Sequence, residues 1–195
     1  MIKEKEEDTM GWIILIIVVV LIIAIIAMYN SLVSARIKVD NAWSQIDVQL
    51  QRRFDLIPNF VETVKGYASH ESETLEKVTS LRTSWANAST ISEKAELDNQ
   101  LSGALKTIMA VSENYPDLKA NQNFSELSEE LRNTENKISF SRQFYNDTVT
   151  MYNEKLQIFP SNIIANMFHF EARDLFKTDS AEARQNVKVD FGKNA

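Results

Sequence analysis

Histidine and cysteine, two common metal ligands, are rare in this chain of 195 residues, which contains two histidines and no cysteine. Di-iron sites in helical proteins use Glu-x-x-His pairs, but Tyr67 stands three residues before His70 and Asn166 three residues before His169. The sequence HESET at His70 also lacks the second histidine of the H-E-x-x-H zinc motif. We therefore expect neither a metal site nor a cofactor.

The sequence also lacks the patterns that accompany nucleophilic catalysis. An activated serine, cysteine or lysine needs a neighbouring base, and the chain has no G-x-S-x-G motif. Gly66 and Gly103 are isolated, so no glycine-rich loop is available to bind a phosphate. We expect that the protein is not an enzyme.

The densest group of polar side chains consists of Asp47, Arg52, Arg53, Asp55 and Asn59. One interpretation is an interaction surface at the turn of a helical hairpin, at the end of the domain away from a membrane. The other is structural, because carboxylates cap helices and pair with arginines. We favour the structural interpretation. A second group, Glu71, Glu135 and Arg142, is either a buried ion pair or a solvated face.

The elements that position these residues start with an apolar stretch, Met10 to Met28, which has no charged residue and no proline. A helix of about 19 residues rises roughly 30 Å, the thickness of the hydrocarbon core of a bilayer. The stretch has no polar face, so the bilayer is its predicted environment. It is too long for a signal peptide and lacks an A-x-A cleavage pattern. Residues 1–9 form a short acidic tail before it.

Charge argues against nucleic acid as a partner and gives a weak preference for one orientation. The chain has a formal net charge of −6, whereas binding to nucleic acid requires a concentrated positive surface. Lys3 and Lys5 before the apolar stretch balance Arg36 and Lys38 after it, so the positive-inside rule discriminates poorly. A short acidic tail is easy to translocate, which favours the tail outside and the domain in the cytoplasm.

Apolar residues after the stretch recur at steps of three and four, as in amphipathic helices. The composition, with four glycines and three prolines, also favours long helices with few connections. The longest stripe extends from Phe124 to Phe159 and includes Leu131, Ile138 and Tyr145. Four aromatic side chains are predicted to lie in the core rather than in a ligand cage: Trp43, Trp85, Phe124 and Tyr145.

Two local signals divide the helical region. Pro58 predicts the turn of a helical hairpin at residues 53–58, with a kink in one continuous helix as the alternative. Thr90 and Glu93 have the spacing of a capping box, which predicts the start of a helix. In the C-terminal tail, residues 161–195, we expect an apolar patch to dock on the helices, and Val187, Val189 and Phe191 to form a last extended contact.

The sequence resembles the LemA family of bacterial membrane-anchored proteins. The resemblance is densest from Ala42 to Ala68, AWSQIDVQLQRRFDLIPNFVETVKGYA, and continues in DLKAN from Asp117 and in FPSN from Phe159. It implies an N-terminal membrane helix, a short extracytoplasmic tail and an up-and-down four-helix bundle. It does not imply a molecular mechanism.

These observations predict an all-α protein of the bacterial plasma membrane. Its expected domains are a transmembrane helix at residues 10–28, a four-helix bundle at residues 29–160 and the docked tail. The expected function is a scaffold or adaptor that binds another membrane or envelope protein. The alternative is a self-assembling structural protein that shapes membrane, for which the sequence shows few apolar residues outside the stripes.

Overall fold

The computed structural model describes residues 2–177, with the side chains from Met10 onward except that of Ser69. The described part of the chain contains helices and no strand, so the predicted all-α class is confirmed. Two short 3-10 turns, Ser69–Glu71 and Ser112–Asn114, lie between the helices. The helices are α1 (Ile2–Lys65), α2 (Ser72–Asn87), α3 (Ile91–Val111), α4 (Pro116–Lys119), α5 (Gln122–Gln157) and α6 (Ser161–Met167).

The predicted hairpin turn at residues 53–58 is wrong. Helix α1 continues through Pro58 to Lys65, and the chain leaves it at Tyr67 and Ala68, whose amides both donate to the carbonyl of Val64 at 3.0 and 2.8 Å. The Pro58 ring is exposed, while the apolar stripe continues past it with buried side chains at Phe60 and Val64. Burial of that stripe therefore outweighs the single backbone hydrogen bond that proline cannot form.

Contacts divide the chain into two units. Of the described residues, 2–47 and 141–175 form the first unit, and 48–140 with 176 and 177 form the second. Helices α1 and α5 each contribute to both units.

The apolar stretch belongs to the first unit and is exposed along its whole length. Every side chain from Met10 to Ala27 is accessible, and the stretch is long and apolar enough to cross a membrane. Trp12 and Tyr29 lie at its two ends, as is typical of the aromatic residues at the two interfaces of a bilayer. The expectation of a helix with membrane-spanning length and composition is therefore confirmed.

Beyond the apolar stretch, α6 packs on α1 in the first unit. Leu32, Ile164 and Ala165 are buried together, with Met28 and Phe170 packed against them. The chain then extends along α5. The hydroxyl of Tyr152 donates to the carbonyl of Glu171 at 3.0 Å, and that of Tyr145 donates to the carbonyl of Asp174 at 2.8 Å.

This order makes the extended segment antiparallel to α5. Asn153 fixes it further, because its side chain donates to the Arg173 carbonyl and accepts from the Arg173 amide, at 2.8 and 2.9 Å. Burial raises the pKa of the Tyr145 phenol to about 12. The extended contact predicted at Val187, Val189 and Phe191 lies outside the described residues.

In the second unit, α2 and α3 pack on each other and aromatic rings connect the helices. Phe54 on α1 stacks on Trp85 of α2 with ring centroids 4.8 Å apart, and Phe60 stacks on Phe124 of α5 at 5.7 Å. The predicted core position of Trp85 and Phe124 is confirmed, as is that of Tyr145 in the first unit. Trp43 is half-buried, and its ring meets that of Tyr145 edge-on.

Candidate functional site

A buried ionic network in the second unit centres on Arg53 of α1, whose side chain is 3 % exposed. Its Nη1 donates to Oδ1 of Asp98 at 2.7 Å and to Oγ of Ser102 at 3.0 Å, both on α3. The same nitrogen forms an ion pair with Glu135 of α5. Ser102 in turn donates to Glu135 at 3.0 Å, so one guanidinium connects three helices.

Sequence reasoning singled out Arg53 and Glu135 but placed them in different groups, and it missed Asp98 and Ser102. A signal for Asp98 existed, because it stands three residues before Leu101 and therefore lies in register with the inward face of α3. Asp98 is fully buried. A carboxylate at such a position requires a cationic partner, and Arg53 is that partner.

The other members of the predicted polar group do not share this network. Arg52 points outward and pairs with Glu130 of α5 at 2.7 Å. Asp55 accepts a hydrogen bond from Gln51 one turn earlier at 2.8 Å, and Asn59 is exposed. Asp47 belongs to the first unit, where its side chain is half-buried.

Glu71, Glu135 and Arg142 form the second predicted group. Glu135 pairs with Arg53, as described above. Glu71 ends the 3-10 turn before α2, where it is partly exposed, and Arg142 belongs to the first unit. In the part of the chain that the structure describes, no group of three histidine or carboxylate side chains is placed to hold a metal ion.

A groove of about 600 Å³ runs along the first unit between α1 and α5. On the α1 side it is lined mainly by small or neutral side chains, and on the α5 side by larger ones. We call this the α1–α5 groove; its lining is Ser31, Ser34, Ala35, Lys38, Asn41, Ala42, Gln45, Phe144, Thr148, Met151, Tyr152 and Lys155.

The α5 wall of the groove presents two large apolar side chains to solvent. Phe144 is 55 % exposed and Met151 is 63 % exposed, and their seven-residue spacing places them on one face of α5. Lys155 lies at one end of the groove, where its Nζ donates to Oγ of Ser31 at 2.9 Å. The α5 wall of the groove is therefore apolar at Phe144 and Met151, while two cationic side chains, Lys38 and Lys155, also line the groove.

The groove was not predicted, although its wall left a signal. Phe144 and Met151 are large apolar residues outside the predicted inward stripe of α5, and both are exposed. Phe159, which the stripe pattern places inward, is 74 % exposed. Leu131, Ile138 and Tyr145 of the stripe are buried as predicted, but so is Val149, which the stripe did not include.

A model of the LemA family matches residues 42–191 of the sequence. The chain belongs to the LemA family. It is also similar to Protein LemA of Metamycoplasma hominis, with 28 % identity over 162 residues that cover 83 % of this chain and 72 % of the relative. The resemblance seen in the sequence is thereby confirmed.

The LemA match includes all four residues of the Arg53 network and the whole α5 wall of the groove, whereas the apolar stretch and most of the α1 side of the groove precede it. In this LemA-family chain the Arg53 network is enclosed between helices. It therefore stabilises the packing of α1, α3 and α5 by pairing the Arg53 guanidinium with the carboxylates of Asp98 and Glu135. The α1–α5 groove offers apolar surface and small side chains to another molecule. Of the two features, the groove is the one accessible to a partner.

Proposed function

We propose that this LemA-family chain is a single-pass scaffold of the bacterial plasma membrane, which binds another membrane protein through the α1–α5 groove. The domain lies in the cytoplasm and the N-terminal tail outside. The exposed pair Phe144 and Met151 on the groove wall carries this proposal, because large apolar side chains grouped on a surface mark interaction sites.

The architecture that we propose for the domain is an up-and-down four-helix bundle. Stacked rings connect α1 to α2 and α1 to α5, and the Arg53 network connects α1, α3 and α5. Short connections between long helices, such as residues 88–90 between α2 and α3, favour antiparallel neighbours.

A helix that leaves the membrane beside α1 is the occupant that fits the groove. Small side chains such as Ser34 and Ala35 let two helix backbones approach closely. The lining extends from Ser31 to Gln45, about 21 Å along the axis of α1, or roughly four turns of a partner helix. Ser31 lies three residues beyond the apolar stretch, so a neighbouring membrane helix reaches the groove by continuing straight on.

The test is photocrosslinking in intact cells with a photoreactive residue at Phe144 and, separately, at Met151. Matched control positions are Gln143 and Thr150, which are exposed on the same helix but do not line the groove. We expect one discrete product, identified by mass spectrometry as another membrane protein, at the groove positions and not at the controls. Ser34→Trp, which fills the groove, should abolish it, whereas Ile37→Trp on exposed surface should not.

Two results would overturn the proposal. Equal crosslinking at Phe144 and Gln143 would mean that the groove is not the contact surface. Crosslinks to a second copy of the same chain alone would replace the adaptor with the self-assembling structural protein, because the exposed wall would then pair with itself.

A further inference from the structure

A second exposed apolar surface lies where α5 passes into α6. We call it the α5–α6 corner, residues 158–168. Five large apolar side chains there are between 48 % and 74 % exposed: Ile158, Phe159, Ile163, Met167 and Phe168. None of them lines the α1–α5 groove, so the groove does not account for them.

The corner is fixed to α1 directly after the apolar stretch. The rings of Phe168 and Tyr29 have centroids 4.7 Å apart, and Ile164 and Ala165 are buried with Leu32. Tyr29 and Leu32 stand one and four residues after Met28, or about 1.5 and 6 Å along the helix axis. The headgroup region on each side of the hydrocarbon core is about 5–7 Å thick, so the corner lies at headgroup level when the stretch spans a bilayer.

Helix α6 has an inner and an outer face. Ile164 and Ala165 face α1 and are buried, whereas Ile163 and Met167, four residues apart, are exposed. Cationic side chains surround the junction: Lys155 donates to Ser31, and the Arg36 guanidinium lies 5.3 Å from the centre of the Phe170 ring. An apolar face next to cations is the pattern of segments that lie in the interface of a bilayer.

We infer that the α5–α6 corner inserts into the interface of the bilayer leaflet from which α1 emerges. The occupant is lipid rather than protein, because the exposed face of the corner continues the apolar surface of α1 at the depth where the helix leaves the hydrocarbon core. The span and the corner together form two contacts with one bilayer, which fix the tilt of the first unit and the direction in which the groove faces. This inference rests on the proposed membrane anchoring of α1.

Depth-dependent quenching tests the inference on the full chain in vesicles of phosphatidylcholine and phosphatidylglycerol. The sequence has no cysteine, so each single substitution gives one site for an environment-sensitive fluorophore. Ile163→Cys and Met167→Cys report on the corner, and Val19→Cys reports on the centre of the span. Met151→Cys is the matched control, since Met151 is as exposed as Ile163 but lies seven residues, about 10 Å, before Ile158 on α5.

At Ile163 and Met167 we expect blue-shifted emission that lipids with a shallow spin label quench more strongly than lipids with a deep one. A fluorophore at Val19 should be quenched more strongly by the deep label than by the shallow one. A fluorophore at Met151 should be quenched by neither label. Deep quenching at Val19 with water-like emission at Ile163 and Met167 would overturn the inference and leave the anchor intact. Absence of quenching at Val19 would refute the anchor itself. Blue-shifted emission at Ile163 without lipid quenching would assign the corner to a protein contact and overturn the inference as well.

Discussion

Arg53 and Asp98 form a buried ion pair across 45 positions of sequence, with Nη1 and Oδ1 2.7 Å apart. Each charge compensates the other in a place where an isolated charge is strongly unfavourable. The pair also sets the register of α3 on α1, because a shift of α3 by one turn would separate the two charges by about 5 Å. Ser102 and Glu135 bind the same guanidinium and tie α5 to this register.

Asp98→Ala leaves the Arg53 guanidinium buried with the Ser102 hydroxyl and the partly exposed carboxylate of Glu135 as partners. Removing one member of a buried ion pair typically lowers the free energy of unfolding by about 3–5 kcal/mol, and we expect a loss near the lower end because Glu135 remains. Urea denaturation of the full chain in mild detergent, followed by circular dichroism at the helix bands, measures this loss.

The neighbouring Arg52 provides the matched control. Its ion pair with Glu130 has the same length of 2.7 Å, but the two side chains are 51 % and 42 % exposed. Exposed pairs contribute little, so Arg52→Ala should lower the free energy of unfolding by less than about 1 kcal/mol. Equal losses for Arg52→Ala and Asp98→Ala would show that burial does not determine the strength of the Arg53 pair.

The sequence predicted the helical class, the membrane-length stretch and the inward stripes, because each depends on a local period of apolar residues. It did not predict where α1 ends. Pro58 is a strong local signal for a turn, but the buried stripe at Ile57, Phe60 and Val64 continues across it, and tertiary packing overrides the local preference. A single sequence does not show whether the local preference of Pro58 for a turn or the burial of the apolar stripe has the larger free energy.

Pro58→Ala tests this balance. Proline in a helix interior is about 3 kcal/mol less favourable than alanine. The substitution should therefore raise the free energy of unfolding by up to about that amount, and raise the thermal midpoint of unfolding with it. Pro116→Ala is the control, because Pro116 lies in the first turn of α4, where proline is well tolerated. A lowered midpoint for Pro58→Ala would mean that the packing of Ile57 and Phe60 depends on a local distortion caused by the proline.

The candidate site was less predictable than the fold. Periodicity identified the inward face of α5. It did not show that α1 lies beside Phe144 and Met151, so the groove was found only in the structure. The Arg53 network was half predicted, because Arg53 and Glu135 were singled out without a reason to connect them. Pairing residues 53, 98 and 135 requires the packing of three helices, which no local pattern contains.

Tyr145 gives a prediction for alkaline pH. Burial raises the pKa of the Tyr145 phenol to about 12, whereas the pKa of a tyrosine in the unfolded chain is about 10. Its contribution to stability is therefore fully present below about pH 10 and is lost as the pH rises towards 12, since only the unfolded state ionises readily in that window. The free energy of unfolding should fall more steeply there for the native chain than for Tyr145→Phe.

The phenylalanine variant also loses the hydrogen bond to the Asp174 carbonyl. Its free energy of unfolding should therefore be lower at about pH 10 but fall less steeply as the pH rises. Urea midpoints measured across this pH range give both curves. Lysine titration affects the two proteins equally, so it cancels in the comparison. Parallel curves would show that the Tyr145 hydroxyl is as accessible in the folded protein as in the unfolded one.

The capping box at the start of α3 was predicted from spacing and is confirmed by the structure. Oγ1 of Thr90 accepts from the Glu93 amide at 3.1 Å, and Oε2 of Glu93 accepts from the amides of Thr90 and Ser89, both at 3.0 Å. Loss of such a cap typically lowers stability by about 1 kcal/mol, which is the effect expected for Thr90→Ala in the same urea assay.

Glu93→Gln separates the charge from the geometry of this cap. The Thr90 amide, and then that of Ser89, hold the pKa of Glu93 below its usual value. A lowered pKa stabilises the folded state above the unfolded pKa of about 4.3, and that contribution is lost as the pH falls through the folded value. The native chain should therefore lose stability in acid that Glu93→Gln does not lose, and Glu96→Gln, one turn further along α3, should behave like the native chain. If the Glu93→Gln and native curves were parallel instead, the Thr90 and Ser89 amides would be bonded to water in solution rather than to the carboxylate.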